Sequence, residues 1–551
     1  MKSIPAPQTG RLRLLKITFA LLPLSLIPAP GSAAARNIDA VGPHTVMVNL
    51  ETYDKVVHVS ATTGSDKVGD GSRGSPYASI LTALQGIEER GEETRVAVLV
   101  AEGSYQKGTI GMRPEVDLFG GHSAETWERD ILEHESILDG LHSRRVLIGA
   151  DNARIDGFVI QNGRTFGYGG ALLCDNNSPT ITNNRFEGNH TTQPKAFRND
   201  LIHQQGNFGG AIACLYNSVP KIHNNLFAGN WTEIGEGGAI AVFGWIRMEG
   251  NPVASIENNV FVGNISGLKD HGRTRSSSGG AISCSHEASP IIRNNVIAHN
   301  RAMGRSDAGG VYCEYFSSPA IEYNWIVGNE GDDDGGGIYT MRLGEPAIHR
   351  NLIAGNWTTG GGVGGVRVSK EGRARLTENL IVQNQSGGGV QLVDGWTVVG
   401  RNTIADNSGG PGIRYVQNLT YFQPTTIENN AIFGNENEAI IFHEQAGAAP
   451  VLKDNSLDEN QVVSDSDLDW NTSDIRFDAR RNQTTIKLEN ASFEDDALAG
   501  RTVHLGRRWS VVVRNRMDTV VVWGDFSTPH GPAPQPSGTV LSILPRYQIP
   551  E

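Results

Sequence analysis

The chain has 551 residues, and its 60 acidic and 47 basic side chains give a formal net charge of −13 at pH 7. An acidic chain of this size repels phosphate backbones, so its composition argues against a nucleic acid partner. The 67 glycines beside 38% hydrophobic residues indicate many short strands and tight turns around a buried core, and they argue against disorder.

The N-terminal segment has the layout of a secretory signal peptide. A basic stretch at 11–16 precedes an apolar run at 17–27, and three alanines follow at 33–35 as a cleavage site. The apolar run is shorter than the about 20 residues that a membrane-spanning helix needs. The sequence therefore predicts a signal peptide at 1–35, no transmembrane segment after its cleavage, and a secreted location, either extracellular or periplasmic. Without the four basic side chains of this segment, the net charge changes from −13 to −17.

The residues after the signal peptide predict an opening strand and a cap. Residues 56–60 alternate in the manner of a β-strand, and a polar loop follows at 64–76. Residues 79–90 place apolar side chains at helical spacing, which predicts an amphipathic helix covering the apolar end of a stacked structure. We therefore assign 36–145 to an N-terminal cap and the first coils.

An internal repeat dominates 146–460. Its unit is Gly-Gly-Ala-Ile or a close variant, an apolar stretch, Asn-Asn, a further apolar stretch and a closing Asn. The apolar stretches have period two, which predicts a solenoid with three strands per coil and about 4.8 Å between coils. The closing asparagine can hydrogen-bond along the stack, and it falls at Asn189, Asn230, Asn264, Asn300, Asn329, Asn356, Asn384, Asn407 and Asn435. Some of these match the glycosylation sequon, but the repeat explains the match better than sugar attachment does.

The four cysteines occupy one position of this repeat. Cys174, Cys214, Cys284 and Cys313 each follow an inward apolar residue by two positions, so we expect them in an inward ladder, buried and reduced. Disulfides Cys174–Cys214 and Cys284–Cys313 stay open as an alternative, because stacked residues lie within disulfide range.

The repeat fades after residue 460, and 461–551 predicts a separate small β-module. Its strands are predicted at 484–488, 502–505, 509–514 and 519–523. We expect the module to act as a C-terminal cap, with sugar binding by Trp509 and Trp523 as the alternative.

Three segments carry a resemblance to a known group of proteins. Residues 56–60, 116–122 and 137–140 are similar to the opening coils of the pectin-lyase-like right-handed parallel β-helix repeat proteins that bacteria secrete, and the Gly-Gly-Ala-Ile repeats also resemble those of bacterial surface adhesins. The resemblance implies an all-β right-handed parallel β-helix with an N-terminal capping helix and a small C-terminal β-module. It does not fix the function, because this fold hosts lyases, hydrolases, epimerases and non-enzymatic proteins.

The resemblance also implies where a ligand binds, since enzymes of this fold commonly use the groove over the first strand of each coil. That strand follows Gly-Gly here, and its outward residues are predicted to form a column suited to an extended glycan, through aromatic stacking and hydrogen bonds. The predicted substrate-binding residues are Tyr312, Tyr339, Gln391 and Arg414 in this column, and Arg342, which lies just beyond the strand that contains Tyr339.

Acidic residues lie beside this column and supply the predicted catalytic residues. Asp332 and Asp334, with Glu314, are candidates for the acid and base of glycoside hydrolysis. Alternatively, Asp332, Asp333 and Asp334 bind Ca²⁺, and Arg367 or Lys370 serves as the base of a β-elimination. A solvated acidic turn without function is the third interpretation.

The sequence thus predicts a secreted β-helix protein, expected to be a monomer, that binds an extracellular polysaccharide in a groove on one face. It leaves open whether the protein also cleaves the polysaccharide as a lyase or a glycoside hydrolase. No cofactor is required by the pattern, and Ca²⁺ is the one that the residues suggest. The alternative is a non-enzymatic cell-surface or adhesive protein whose repeats form a rigid structural stalk.

Overall fold

The computed structural model describes residues 37–87, 94–192, 207–244, 251–267, 277–304, 307–418, 425–443, 449–457, 462–463, 469–527 and 540–547. Over the repeat region the chain winds into a right-handed parallel β-helix, the usual hand for parallel connections. Each coil gives one strand to each of three long parallel sheets, and the central coils give a short strand to a fourth. Two 3-10 helices, Ile38–Ala40 and Leu50–Thr52, precede the first strand.

We number the sheets in the order in which a coil visits them, starting from the strand that follows Gly-Gly. Sheet 1 contains Ile110–Gly111, Leu147–Ile148, Leu172–Asp175, Ile212–Leu215, Ile240–Phe243, Ile282–Ser285, Val311–Cys313, Ile338–Thr340, Val366–Ser369, Val390–Val393, Ile413–Val416 and Ile440–His443. Sheet 2 contains Lys55–Val59, Val96–Ala101, Val116–His122, Arg154–Asp156, Thr180–Thr182, Lys221–His223, Ser255–Glu257, Ile291–Arg293, Ala320–Glu322, Ala347–His349, Arg375–Thr377, Val398–Gly400, Thr426–Glu428 and Val451–Lys453.

The remaining two sheets complete the coil. Sheet 3 contains Gly103–Tyr105, Ser136–Asp139, Phe158–Gln161, Arg185–Glu187, Leu226–Ala228, Val260–Val262, Val296–Ala298, Trp325–Val327, Leu352–Ala354, Leu380–Val382, Thr403–Ala405 and Ala431–Phe433. Sheet 4 contains Arg164–Phe166, His190–Thr192, Trp231–Thr232, Ile265–Ser266, Arg301–Ala302, Glu330–Gly331 and Trp357–Thr358. The three predicted strands per coil are confirmed, and sheet 4 is an addition within the turn that leads back to sheet 1.

The core consists of identical positions stacked from coil to coil. In sheet 3, the central residues Phe186, Phe227 and Phe261 are fully buried, and their ring centroids follow one another at 4.8 Å in nearly parallel planes. Ile or Leu takes the corresponding place in most coils of sheet 2. Since the coil spacing equals a comfortable van der Waals distance between such side chains, the periodic sequence fills the interior without voids.

Buried asparagines form hydrogen-bonded ladders at the corners of the coils. Asn329 accepts hydrogen bonds from the backbone N–H and the side-chain amide of Asn300, each at 3.0 Å, and donates to Asn356 Oδ1 and to the carbonyl of Ile297, each at 2.9 Å. The closing asparagines of the repeat form one such ladder, as predicted. A second ladder at the corner between sheets 2 and 3 contains Asn184, Asn225, Asn259, Asn295, Asn324, Asn351, Asn379, Asn402, Asn430 and Asn455. The asparagines of the sequons belong to the first ladder and are buried.

An α-helix closes the N-terminal end of the solenoid. It spans Ile80–Gln85, begins at the N-cap Ser79 and ends at Gly86, and it buries Ile80 and Leu84 in the main core. It is shorter than predicted, and part of the expected segment lies outside the described residues at 88–93. Among the helices that the structure describes, none is both long and apolar enough to cross a membrane.

The C-terminal module is a closed antiparallel β-barrel. Its strands, in the order of their pairing, are Asp469–Asp478, Gln483–Leu488, Thr519–Trp523, Arg508–Arg516, Thr502–Leu505 and Val540–Ile543. The short strand Val462–Val463 pairs with Arg546–Tyr547 beside it. All four strands predicted from the sequence are present, and the first and last strands of the barrel are additions.

The barrel packs against the outer face of sheet 3, along the flank of the solenoid. Trp509 and Trp523 join Trp325 and Leu352 in one apolar cluster, and the indole N–H of Trp325 donates to the carbonyl of Gly500 at 3.1 Å. Trp509 is 2% exposed and Trp523 is 5% exposed. The alternative in which these two tryptophans stack on sugars is therefore corrected: the indoles fix the barrel to the solenoid.

The cysteines lie where the repeat predicts. Cys174 is in register with Cys214, and Cys284 with Cys313, on the inner face of sheet 1. All four are fully buried and free. The structure therefore has thiols and not the alternative disulfides, and burial raises the pKa of Cys174 and Cys284 well above the ordinary thiol value.

The asparagine ladder leads to a first prediction. Replacing Asn329 with Ala leaves two donors of Asn300 without an acceptor and removes both hydrogen bonds that Asn329 donates. We therefore expect the free energy of unfolding to fall by at least about 2 kcal/mol. The control is Asn437→Ala, whose side chain is exposed and whose loss should stay within about 0.5 kcal/mol. Urea unfolding followed by circular dichroism measures both. Equal losses in the two variants would contradict a stabilising ladder.

Candidate functional site

The candidate site lies on the outer face of sheet 1, where the middle residues of successive strands are in register. We name these residues the polar column: Ser283, Tyr312, Tyr339, Arg367, Gln391 and Arg414. The vertical order predicted from the sequence is confirmed by the strand register. The chemistry changes along the column, because its N-terminal part is closed and its C-terminal part is open.

The tyrosines differ from the expectation that they form an open surface for sugar stacking. Tyr312 is 2% exposed and Tyr339 is fully buried. They pack with Ala308 and Met341 in a small apolar cluster outside the main core. Ala308 belongs to the turn that enters the strand Val311–Cys313, so this turn covers the rings. Neither ring offers a face to a ligand in this conformation.

The lower part of the column is polar and partly open. Three atoms in succession, Arg367 Nε, Gln391 Oε1 and Arg414 Nε, have no hydrogen-bond partner among the described residues. Neighbouring strands are about 4.8 Å apart, so two donors and one acceptor stand in a row. Buried polar atoms are nearly always paired in native proteins, so this row calls for partners from outside the chain, either water or a ligand.

Arg367 is tied to the acidic side of the site. Its Nη1 lies 2.6 Å from Asp334 Oδ1, and its guanidinium lies over the ring of Tyr339 at 5.6 Å. A guanidinium stays protonated in proteins and has no lone pair to offer. The alternative in which Arg367 is a general base is therefore disfavoured, and the geometry suits a binding residue.

Three carboxylates meet beside Arg367. Asp307, Asp333 and Asp334 each place one oxygen within 4.8 Å of the others, and they could hold a metal ion. This set differs from the predicted Asp332, Asp333 and Asp334. Asp332 Oδ1 instead accepts a hydrogen bond from Thr359 Oγ1 at 2.7 Å, and Asp307 from the preceding coil takes its place.

Asp307 is the most buried of the three carboxylates. It is 7% exposed, and one of its carboxylate oxygens lies within 4.8 Å of an oxygen of Asp333 and of Asp334. Burial, and after it the negative charge of Asp334, raise the pKa of Asp307 to about 8. The nearby cations Lys370 and Arg367 oppose this shift only in part.

A second carboxyl pair lies further up the face. Glu236 Oε2 accepts from Ser283 Oγ at 2.7 Å. The carboxyl groups of Glu236 and Glu314 lie close enough to shift each other's pKa. Glu314 is 3% exposed and accepts from the hydroxyl of Tyr312 at 2.9 Å. Desolvation, together with the charge of Glu314, raises the pKa of Glu236 well above its ordinary value. Burial raises the pKa of Glu314 as well, but the interaction between the two groups lowers the pKa of Glu314 and raises that of Glu236. A proton shared by the pair therefore favours Glu236.

Arg342 connects this pair to the surface. Its Nη1 donates to Glu314 Oε2 at 2.9 Å and to the hydroxyl of Tyr315 at 2.8 Å, and its guanidinium lies over the Tyr315 ring at 5.0 Å. The side chain of Arg342 is 37% exposed, whereas that of Glu314 is 4% exposed. Arg342 is thus the member of this network that a ligand can reach.

Comparisons with known proteins give little beyond the architecture. Residues 62–288 match a family model described as a protein of unknown function, DUF1565. No curated protein is significantly similar to the chain.

Several solved structures align at low identity. The periplasmic alginate epimerase AlgG is 11% identical over 70% of this chain and 84% of its own, with a TM-score of 0.35. The complex of XylC with xylose is 11% identical over 80% of this chain and 91% of its own, with a TM-score of 0.37. The GH136 lacto-N-biosidase from Eubacterium ramulus is 12% identical over 74% and 68%, with a TM-score of 0.28. Values this low carry no argument about the present chain.

The topology itself decides the fold type, because three long all-parallel sheets are traversed in turn by every coil. The chain is a right-handed parallel β-helix protein. The DUF1565 model covers less than half of this β-helix protein.

The sequence contains a signal for Glu236 and Asp307, the two acidic residues of the site that were not predicted. Glu236, Asp307 and Asp334 each stand four residues before the first residue of a sheet 1 strand, at Ile240, Val311 and Ile338. One turn position thus carries an acid in three coils. The spacing alone does not reveal which of these acids face the column, since that depends on how each turn folds over the sheet.

The raised pKa of Glu236 leads to a second prediction. The folded state keeps this proton above the ordinary glutamate pKa of about 4.3, while the unfolded chain releases it, so stability falls as pH rises between the two pKa values. Glu236→Gln removes this dependence and keeps the shape. We expect the melting temperature of the variant to exceed that of the wild type by a margin that grows from about pH 5 to about pH 8.

Thermal unfolding at several pH values measures the margin. The control is Glu345→Gln, which alters an exposed ion pair with Arg373 and should give a margin that does not vary with pH. A flat margin for Glu236→Gln would show that Glu236 is ionised in the folded protein.

Proposed function

We propose that the protein is a secreted or periplasmic polysaccharide-binding protein whose ligand lies along the lower part of the polar column. The single observation that carries this proposal is the row of unpaired polar atoms on Arg367, Gln391 and Arg414. An extended glycan presents hydroxyl or carboxylate groups at regular intervals, and it can pair with such a row on successive strands. The predicted signal peptide supports a location outside the cytoplasm.

The charge of the column favours an acidic glycan. Arg342, Arg367 and Arg414 present guanidinium groups on one face, with Lys370 exposed beside them, although the whole chain is acidic. A local group of cations of this kind attracts anions over about one Debye length whatever the net charge. Guanidinium groups also match the geometry of a sugar carboxylate.

Cleavage of the bound glycan stays a prediction of the sequence. Asp334 and Glu314 lie on the same face as the column, but each is paired with an arginine. The adhesive alternative needs the same binding surface without turnover. Assays for new reducing ends and for the absorbance of unsaturated products distinguish these possibilities.

The glycan proposal leads to a third prediction. Arg367→Met combined with Arg414→Met removes two cations from the column, and we expect the Kd for a polyuronate to rise by about tenfold or more. Affinity electrophoresis in gels containing polygalacturonate, alginate or neutral xylan measures the binding, and retardation of the wild type should weaken with added salt.

The matched control is Arg373→Met, because Arg373 lies on another face of the coil, over the ring of Trp396 at 4.7 Å. This variant should bind as the wild type does. Wild-type mobility that is unchanged by every glycan would remove the proposal.

We also propose Ca²⁺ as the ion for the carboxylates of Asp307, Asp333 and Asp334. Oxygen-only donors of this kind are the ligands that Ca²⁺ prefers. The support from the structure is the buried carboxylate of Asp307, which places one oxygen within 4.8 Å of an oxygen of Asp333 and of Asp334. Bound there, the ion would add positive charge beside Arg367 and strengthen the attraction of an acidic glycan.

The ion proposal leads to a fourth prediction. Calorimetric titration of the metal-free protein with CaCl₂ should show binding, and Asp307→Asn should abolish it because that variant loses one of the three carboxylates. Asp332→Asn should bind as the wild type does, since Asp332 lies outside the group. Absence of binding to the wild type, or equal losses in both variants, would overturn the assignment.

A further inference from the structure

The pair formed by Glu236 and Glu314 has one outlet to the surface. Ser283 and Tyr312 donate to the two carboxyl groups from the sheet, and Arg342 donates to Glu314 from outside. Glu314 is almost completely buried, Glu236 is half-buried, and the side chain of Arg342 is 37% exposed. The network therefore joins residues of four successive coils and ends in one cation at the edge of the polar column.

The fold does not require an acid at the position of Glu236. In two earlier coils, Tyr168 and Phe208 stand at the same place, four residues before Leu172 and Ile212. Desolvating a carboxyl group carries a penalty that a large apolar residue avoids. A buried pair kept against this penalty, beside a ligand site, is evidence for function.

We propose that Glu236 positions Arg342 through Glu314: the protonated carboxyl of Glu236 donates to Glu314 and fixes the carboxylate that holds Arg342 against the glycan. Glu236 and Glu314 are thus positioning residues, and Arg342 is the binding residue for the carboxylate of an acidic sugar. The inference rests on the proposed glycan-binding function for the identity of the ligand, but not for the coupling between the three side chains.

The charges around the pair support one shared proton. With that proton, Glu236, Glu314 and Arg342 together are neutral; without it, one negative charge stays uncompensated in a buried place. The titratable groups that face the pair are Arg342, Tyr312, Tyr315 and, in the core behind it, Cys284, with Asp307 acting on Tyr312 from the next turn. None of these besides Arg342 carries a positive charge that could replace the proton.

Binding of polygalacturonate provides the first test. Arg342→Met and Glu314→Gln should each raise the Kd by about tenfold, and Glu236→Leu should raise it as well, although Glu236 does not reach the ligand. Glu236→Gln should bind as the wild type does, since its amide donates to Glu314 as the protonated carboxyl does. Glu345→Gln is the remote control.

The pH profile separates positioning from general stability. The wild-type affinity should fall when pH rises above the raised pKa of Glu236, because the second negative charge repels Glu314 and the ligand. Glu236→Gln should show no such fall. Identical profiles for the two proteins, or equal affinities for Glu236→Leu and the wild type, would overturn the proposal.

A ligand-free measurement keeps the inference testable if no glycan binds. A double-mutant cycle of Glu236→Leu and Arg342→Met, read by thermal unfolding, should be non-additive although the two side chains act only through Glu314. In a Glu314→Gln background the same cycle should be additive. An additive cycle in the wild type would refute the coupling, whereas absence of glycan binding alone would refute the proposed function.

Discussion

The rest of the structure depends on one constraint: each sharp corner of the solenoid turns backbone donors and acceptors inward, and they must be paired away from water. Asparagine satisfies them because its short amide both donates and accepts, so Asn300, Asn329 and Asn356 bond to one another and to the backbone at the same time. The ladders hold successive coils at one spacing. That spacing in turn places identical side chains of the three sheets in contact.

A fixed backbone leaves the outer residues free to vary. The middle position of sheet 1 is Leu173 and Ala213 in the early coils, and Tyr312 and then Arg367 later. None of these changes disturbs the inner ladder. The barrel covers the outer face of sheet 3, so apolar residues are required there, as Trp325 shows. The polar residues of sheet 1 are therefore required neither by the inner ladder nor by the barrel interface.

Periodicity predicted whatever depends on the backbone alone. The inward cysteines, the vertical order from Tyr312 to Arg414 and the strand Thr519–Trp523 follow from spacing and alternation. It did not predict the burial of Tyr339 or the roles of Asp307 and Glu236. Those features depend on how turns of different length fold back over the sheet, and on contacts between coils that are far apart in sequence.

The pairing of its arginines limits how tightly the column can bind. Asp334 already neutralises Arg367 at 2.6 Å, and Glu314 neutralises Arg342 at 2.9 Å. Arg414, in contrast, forms no ion pair within the part of the chain that the structure describes. A glycan carboxylate at the first two positions must share the guanidinium with the protein, so each contact adds less than an isolated charge-assisted bond. The same pairing fixes the direction of each guanidinium before the ligand arrives, which lowers the entropy lost on binding. Under the proposed function, the column thus matches the spacing of a repeating chain rather than providing strong attraction to any single anion.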